Sequence, residues 1–134
     1  ALETMIYAYN LNTEYYDSSC HLTNLEFYYK NEAEGYKYAE KCADLGGASI
    51  LGSTDFLKAL AAHFAGIKDT KREIELLEAV IDLDKKDLKT LISLAKLYQQ
   101  TNQKEKAINA ATKAAGLDPT IKQYTDEFIK SLGN

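Results

Sequence analysis

Two segments of the chain match each other at a spacing of 34 residues. The matching positions are mostly apolar and keep their order: Leu57, Leu60, Ala61 and Phe64 recur as Leu91, Leu94, Ala95 and Tyr98, and Ile74, Leu83 and Asp84 recur as Ile108, Leu117 and Asp118. A fixed period of this length is typical of stacked helix-turn-helix units, each too small to bury its own apolar face. The repeat therefore predicts a shared helical core and a binding surface rather than a catalytic pocket.

The composition favours an all-α protein. Ala, Leu, Lys and Glu dominate the second half of the chain, and the only proline is Pro119, so few residues would interrupt a helix. A length of 134 residues, 46% of them hydrophobic, fits a single domain that spans residues 1–134 and buries a core. We expect a short right-handed α-solenoid of about eight helices, with roughly three helix-turn-helix repeats and flanking helices.

The net charge of −4 and the scarcity of arginine argue against nucleic-acid binding. Arg72 is the only arginine of the chain, and phosphate binding needs Lys and Arg clustered on one face. The net negative charge lies before Ser53, where eight acidic residues outnumber three lysines, whereas the rest of the chain is nearly neutral. We therefore expect a protein or peptide partner and no nucleic acid.

The sequence contains no segment that would span a membrane, since it has no run of about 18 apolar residues. The chain begins at Ala1 rather than Met, and residues 1–10 lack the basic start and long apolar stretch of a secretory signal. These features predict a trimmed product without membrane insertion. The compartment stays open, with the cytoplasm preferred over secretion.

The segment from Leu88 to Ile121 has the pattern of one helical hairpin. Its apolar residues share one helical face on either side of a polar turn at residues 101–103: Leu91, Leu94, Ala95, Leu97 and Tyr98, then Ala107, Ile108, Ala111, Ala114 and Ala115. Pro119 then stops the second helix, because proline cannot donate a backbone hydrogen bond. The order Leu91-x2-Leu94-Ala95-x2-Tyr98, Ala107-x3-Ala111 and Pro119 resembles the tetratricopeptide repeat pattern W-x2-L-G-x2-Y, A-x3-F and P.

Two earlier segments extend the resemblance. Residues 54–87 keep the apolar residues of the first helix, and Thr70-x-x-Glu73 predicts a capping box at the start of the second. A further unit aligns upstream if a turn near Glu34-Gly35 holds one extra residue. Its apolar residues would be Leu22, Leu25, Tyr29, Ala39 and Ala43. Residues 38–46 also resemble the second helix of Sel1-like repeats, and both assignments give the same architecture.

Helices are predicted at both ends of the chain. Thr120-x-x-Gln123 predicts the cap of a last helix, whereas the glycine-rich residues 46–53 fit either a loop or a broken helix. The predicted segments are an N-terminal helix at residues 1–16, a degenerate repeat at 18–46, repeats at 54–87 and 88–119, and a C-terminal capping helix at 120–132.

The tetratricopeptide resemblance implies a concave groove lined by the first helix of each hairpin, in which a partner protein or extended peptide would lie. The residues implied by position are Phe27 and Lys30 in the first unit, Lys58 and Ala62 in the second, and Lys89, Ile92, Lys96 and Gln99 in the third. Aligned lysines would attract a ligand with acidic side chains or a free carboxylate. The alternative is that these lysines form only the solvated face of amphipathic helices.

Tyrosines are concentrated in the acidic N-terminal part of the chain, where eight of the ten occur before residue 40. Such side chains serve as interface anchors and also fill gaps between packed helices, and packing is the preferred role for most of them. Tyr15 and Tyr16 are adjacent, so they cannot both point inward. An alternative function follows, in which the chain is a structural or oligomerisation module whose Tyr-rich helices pack on a second copy or on a neighbouring domain.

Cys20 and Cys42 lie on the two helices of one proposed hairpin, near the start of the first and the end of the second. Antiparallel helices bring such ends together, so the two residues could form a disulfide. Cysteines bridged in this way occur among secreted Sel1-like proteins, so the resemblance to Sel1-like repeats also implies a possible disulfide. Two unpaired buried thiols, the commoner state in a cytosolic protein, are the alternative.

The sequence carries no recognisable catalytic, metal or cofactor motif. Cys20 and His21 are adjacent, and neighbours on a helix point about 100° apart, so they cannot form a thiolate–imidazole pair. No phosphate-binding loop, metalloprotease motif or nucleophile elbow is present. We expect a non-enzymatic scaffold or adaptor without a cofactor or a bound metal.

Overall fold

The computed structural model describes residues 2–11 and 16–133, except the side chains of residues 8, 9, 16 and 17. The described residues form eight α-helices and two short 3-10 helices, with no strand among them. The chain divides into two compact units, residues 1–83 and 84–134. The predicted all-α class is confirmed, while the single domain over residues 1–134 stays a prediction.

The first unit contains five α-helices, and its two hairpins are formed by α2 with α3 and by α4 with α5. The bounds are α1 Leu2–Leu11, α2 Tyr16–Tyr28, α3 Glu32–Asp44, α4 Thr54–Gly66 and α5 Thr70–Leu83. A 3-10 helix at Ala48–Leu51 joins the two hairpins, so the glycine-rich segment is neither a loop throughout nor a broken α-helix. Helix α1 is described over Leu2–Leu11, and residues 12–15 of the predicted N-terminal helix lie outside the described residues.

The second unit contains one hairpin and a terminal helix. Its elements are α6 Leu88–Gln100, α7 Lys104–Leu117, a 3-10 helix Pro119–Ile121 and α8 Lys122–Ser131. Helix α8 packs on α7. None of the described helices has both the length and the apolar character that crossing a membrane requires.

The two repeats found in the sequence have matching burial. In both α4 and α6 the four matched first-helix residues are buried: Leu57, Leu60, Ala61 and Phe64, and Leu91, Leu94, Ala95 and Tyr98. The matched ends of the second helices are also alike, since Leu83 and Leu117 are both exposed. The residue after each accepts a hydrogen bond from the amide two positions on: Asp84 Oδ1 from Lys86 and Asp118 Oδ1 from Thr120.

All three hairpins close with the same backbone turn. One residue adopts positive φ, namely Lys30 at 62°, Lys68 at 62° and Asn102 at 59°. The next amide donates 2.8 Å back to the carbonyl five residues earlier, as Asp69 N does to Phe64 O. This is the left-handed turn that commonly ends α-helices. Glycine usually occupies it, yet none of the three hairpins uses glycine.

The upstream hairpin differs from its prediction. Its turn lies at residues 29–31, and Glu34 and Gly35 belong to the first turn of α3. Gly35 is buried there against the Phe27 ring, which lies only 2.5 Å from where a Cβ atom would stand. The glycine thus permits close packing of α2 and α3. Glycine is also common in turns, so the sequence alone suggests a turn here.

The predicted core register of α2 is wrong. Leu25 is half-buried and Tyr29 is 51% exposed. The buried residues of this helix include Ser19, Leu22, Thr23 and Glu26. Polar side chains occupy most of these inward positions, so an apolar pattern could not identify the buried face.

Two predicted helix caps are also wrong. Helix α5 is capped by Asp69, whose Oδ1 accepts a hydrogen bond from Arg72 N at 3.2 Å, so the cap lies one residue before Thr70. At the other end of the chain, Asp118 caps the 3-10 helix and also accepts a hydrogen bond from the Thr120 hydroxyl. Asp and Thr are both common capping residues, and sequence spacing could not separate neighbouring candidates.

Candidate interaction surfaces

Helix α6 exposes a basic and polar face. Lys89, Ser93, Lys96 and Gln100 are spaced by four, three and four residues, and all are exposed, as is Gln99. The opposite face of the helix is buried through Leu91, Leu94 and Tyr98. Helix α6 contains two lysines and no acidic residue. Its solvent face is therefore positively charged in a chain whose net charge is −4.

Helix α4 exposes the equivalent positions with much smaller side chains. Asp55, Ala59, Ala62 and Gly66 are all exposed and correspond, by the 34-residue repeat, to the exposed face of α6. Lys58 lies off this face, is half-buried and takes part in an interaction of its own. Ala62 is thus exposed to solvent, whereas the Lys58 side chain is half-buried and already engaged in an interaction.

Phe27 and Lys30 are placed differently from the groove residues of the other hairpins. Phe27 is half-buried, and its ring centroid lies 5.0 Å from that of Tyr36 and 5.1 Å from that of Phe56. Lys30 occupies the positive-φ position of the turn that follows α2, so it is not on a helix. A packing role accounts for Phe27, and a turn position accounts for Lys30.

The Phe27 contacts belong to a larger aromatic cluster in the first unit. The rings of Tyr36 and His63 are stacked with centroids 3.6 Å apart and planes 7° apart. His63 also makes an edge contact with the buried ring of Phe64. The cluster joins the α2–α3 hairpin to the α4–α5 hairpin, and aromatic pairs of this kind add stability beyond the area they bury.

Ile92 and Lys96 face a narrow apolar cleft within the second unit. The remaining lining residues come from α6, α7 and α8: Ala95, Ala111, Ala114, Tyr124, Thr125 and Phe128. The cleft arises because α7 has alanines where α5 has Leu77 and Val80. It has room for little more than one water-sized group. Ile92 therefore belongs mainly to the packing of this unit.

Arg72 links the two hairpins of the first unit. Its guanidinium donates to both carboxylate oxygens of Asp44, Nε to Oδ1 at 3.1 Å and Nη2 to Oδ2 at 2.9 Å, while Nη1 donates to Asp69 at 2.7 Å. These hydrogen bonds hold the pKa of the Asp44 carboxyl below its usual value and raise that of Arg72. The only arginine of the chain is thus used in structure.

Glu75 lies beside this network and is mostly withdrawn from water. Desolvation raises the pKa of Glu75, and its Oε2 atom is buried without a hydrogen-bond partner. Lys71 Nζ approaches the other oxygen at 3.6 Å, but the lysine side chain is 75% exposed. Burial also raises the pKa of Glu73. Within the described residues, no group of His, Cys, Asp and Glu has an arrangement that could hold a metal ion.

A disulfide joins Cys20 of α2 to Cys42 of α3. Both residues are fully buried, and their Cα atoms are 4.9 Å apart. The sequence alone is compatible with a bridge or with two free thiols. The cross-link joins α3 to a helix, α2, whose other buried residues are mostly polar.

The described tyrosines are more exposed than expected. Tyr7, Tyr28, Tyr29 and Tyr124 are exposed, whereas Tyr98 is buried. Tyr28 and Tyr29 form an edge-to-face pair with ring centroids 5.1 Å apart. Tyr15, and the side chains of Tyr9 and Tyr16, lie outside the described residues. The first unit therefore exposes several large aromatic side chains.

Comparison with known proteins identifies the fold. No protein-family model and no curated protein matches the chain. Two solved structures of MamA are similar over 98% of this chain. One has 15% identity and a TM-score of 0.55, with 69% of its own chain covered, and the other has 13% identity and a TM-score of 0.50, with 84% covered. The chain has a tetratricopeptide-like helical-repeat fold.

Proposed function

We propose that the chain is a non-enzymatic scaffold that recruits a partner protein through the exposed face of α6, the first helix of its last hairpin. The exposed face of α6 is the observation that carries this proposal. Lys89 and Lys96 lie on the side of α6 that faces away from the buried core. Gln99 and Gln100 are exposed on the same helix. The cleft beside α6 admits little more than one water-sized group, so an extended polypeptide lying along the exposed face fits this helix better than a small molecule does.

The ligand that best fits α6 is a peptide segment with acidic side chains or a free carboxylate. Two lysines without an acidic residue on the same helix create a local positive potential. Such a potential speeds the encounter with acidic partners and disfavours basic ones. We expect the affinity to fall as ionic strength rises, because exposed charges are screened within about 10 Å at 0.1 M salt.

Charge reversal on α6 tests this proposal. Peptides would be selected on the wild-type chain by display and labelled for fluorescence anisotropy. We expect Lys89→Glu with Lys96→Glu to weaken their binding at least tenfold. The matched control is Lys104→Glu with Lys113→Glu, which makes the same charge change at exposed sites of α7 and should alter affinity less than twofold. Selected peptides without acidic character, or equal loss in both variants, would overturn the proposal.

The alternative function is an oligomerisation module, and the exposed large hydrophobic residues of the first unit favour it. Tyr7 is 67%, Leu11 70% and Tyr28 77% exposed. Sedimentation velocity over a hundredfold concentration range distinguishes the two functions. A dimer that is lost in Leu11→Ser but retained after charge reversal on α6 would support oligomerisation. A monomer throughout the range would rule it out.

We also infer that the chain works in an oxidising compartment. Disulfides persist in extracellular and periplasmic proteins and are rare in the cytosol, where thiols are kept reduced. The buried pair Cys20–Cys42 therefore weighs against the cytoplasmic preference drawn from the sequence. Alkylation of the thiols in freshly lysed cells, followed by mass measurement, tests this: an unmodified chain supports the inference, and two added groups contradict it.

A further inference from the structure

The hairpin of α2 and α3 lacks the apolar core of its neighbour. When the hairpins are aligned on the turn residues Lys30 and Lys68, the four inward positions of their first helices can be compared directly. They hold Ser19, Leu22, Thr23 and Glu26 in α2, and Leu57, Leu60, Ala61 and Phe64 in α4. Apolar burial is the main source of folding stability, and α2 contributes little of it.

The disulfide lies at the place where this apolar core is missing. Cys20 follows the buried Ser19, and Cys42 occupies the position that Val80 holds in α5. The α4–α5 and α6–α7 hairpins have no cross-link, because the chain contains only these two cysteines. A cross-link stabilises a fold mainly by restricting the unfolded chain, so it can replace stabilisation that apolar packing would otherwise provide.

We propose that the α2–α3 hairpin is a redox-dependent folding element. It is folded while Cys20 and Cys42 are bonded, and it unfolds locally when a dithiol reduces them, whereas the α6–α7 hairpin stays folded. The dithiol supplies two electrons and two protons and is oxidised to its own disulfide, while the two cysteines become thiols. Both sulfurs are buried, so reduction follows a local opening of the hairpin. This proposal is independent of the function proposed for α6.

After reduction, α2 and α3 keep their packing on the 3-10 helix Ala48–Leu51 and their contacts with the α4–α5 hairpin. The latter include the aromatic contacts of Phe27 and Tyr36 and the ion pair between Asp44 and Arg72. All four side chains are at least partly exposed. Partly exposed ion pairs contribute little, so we expect these contacts to be insufficient alone.

Hydrogen–deuterium exchange of the full chain, with and without dithiothreitol, tests the proposal. On reduction we expect exchange of residues 18–28 and 32–44 to become faster by on the order of 100-fold, the factor that a cross-link of this span typically supplies. Exchange of residues 88–117 should change less than twofold. Unchanged exchange in α2 and α3 would overturn the proposal, as would an equal acceleration over the whole chain.

The variant Cys20→Ala with Cys42→Val separates the cross-link from effects of the reductant. It keeps both positions apolar and places at residue 42 the side chain found at the equivalent Val80. We expect it to exchange as fast in α2 and α3 as the reduced wild type, with or without dithiothreitol. Slow exchange like that of the oxidised wild type would show that the disulfide is not what keeps the hairpin folded.

Discussion

Arg72 binds Asp44 through two hydrogen bonds, from Nε at 3.1 Å and from Nη2 at 2.9 Å. The pair connects α5 to the end of α3, so one planar guanidinium links two hairpins of the first unit. Lysine could carry the same charge but could not make the same paired contact, because its ammonium is a point charge without the fork geometry. This difference gives a direct test of the network.

We expect Arg72→Lys to lower the free energy of unfolding by about 1 kcal/mol, since both partners are partly exposed and the ion pair is screened by water. Thermal or urea unfolding followed by circular dichroism measures the change. The control is Lys122→Ala, which removes an exposed pair with Asp126 and should change stability by less than about 0.5 kcal/mol. Equal effects would show that the two-bond geometry of Arg72 contributes nothing.

Glu75→Gln should stabilise the protein at neutral pH and not in acid. Burial raises the pKa of Glu75 in the fold, so the ionised form destabilises the folded state. This destabilisation is absent below pH 4.5, which is near the pKa of glutamate in the unfolded chain. It sets in as the pH rises through that value and is complete above the raised pKa of Glu75 in the folded state. Urea unfolding at pH 7 should show a gain of about 1 kcal/mol, typical of a poorly satisfied buried group, which disappears at pH 4.

Glu105→Gln provides the control for that measurement. Glu105 is an exposed residue in the first turn of α7, so losing its charge should not stabilise the protein at either pH. A gain for Glu75→Gln that is equally large at both pH values would mean that titration of Glu75 is not its cause.

The stability contributed by Asp44 depends on pH in the opposite sense. Its lowered pKa gives stability that is present above about pH 4 and is lost as the pH falls further.

Lys68→Gly should stabilise the α4–α5 hairpin. Lys68 adopts φ of 62°, which glycine reaches without steric cost, so the substitution relieves strain at the turn. We expect a gain of about 0.5–1 kcal/mol in the free energy of unfolding, reduced in part by the greater freedom of glycine in the unfolded chain. Lys113→Gly, at an exposed position inside α7, is the control and should cost about 1 kcal/mol. A loss in both variants would contradict this account of the turn.

Gly35→Ala should destabilise the first unit by about 1–3 kcal/mol. The added methyl group would come within 2.5 Å of the Phe27 ring, which is itself held between Tyr36 and Phe56. Gly116→Ala is a matched helical control with open space around the new Cβ atom, and it should be neutral or stabilising.

A double-mutant cycle tests whether this contact is the cause. Combined with Phe27→Leu, Gly35→Ala should cost at least about 1 kcal/mol less than it does alone, because the smaller side chain leaves space for the methyl group. Both variants would be measured by urea unfolding. Additive effects would mean that the glycine is required for another reason.

The fold could be predicted from the sequence wherever apolar residues mark the buried face. Leu57 and Leu91 occupy equivalent buried positions, and the 34-residue period located both of their hairpins. The α2–α3 hairpin was misplaced because Ser19, Thr23 and Glu26 are buried although they are polar. Its turn was missed as well, since a lysine stands where a glycine would have signalled positive φ.

The candidate surface could be predicted only in part. Helical phase correctly indicated that Lys89, Lys96 and Gln99 are solvent-exposed, because their spacing opposes that of the buried leucines. The role of Phe27 depends on Gly35 of the next helix and Phe56 of the next hairpin, so spacing within α2 alone could not reveal it. Whether these exposed residues bind a partner stays a prediction.

The recurring closure of the hairpins at Lys30, Lys68 and Asn102 is made by main-chain amides and carbonyls. Side chains at these positions can consequently diverge without altering how each pair of helices folds back. Distant relatives of this chain should then share the turn geometry even where their amino-acid sequences differ at nearly every position. Structural superposition of the turns would detect a relationship that sequence alignment misses.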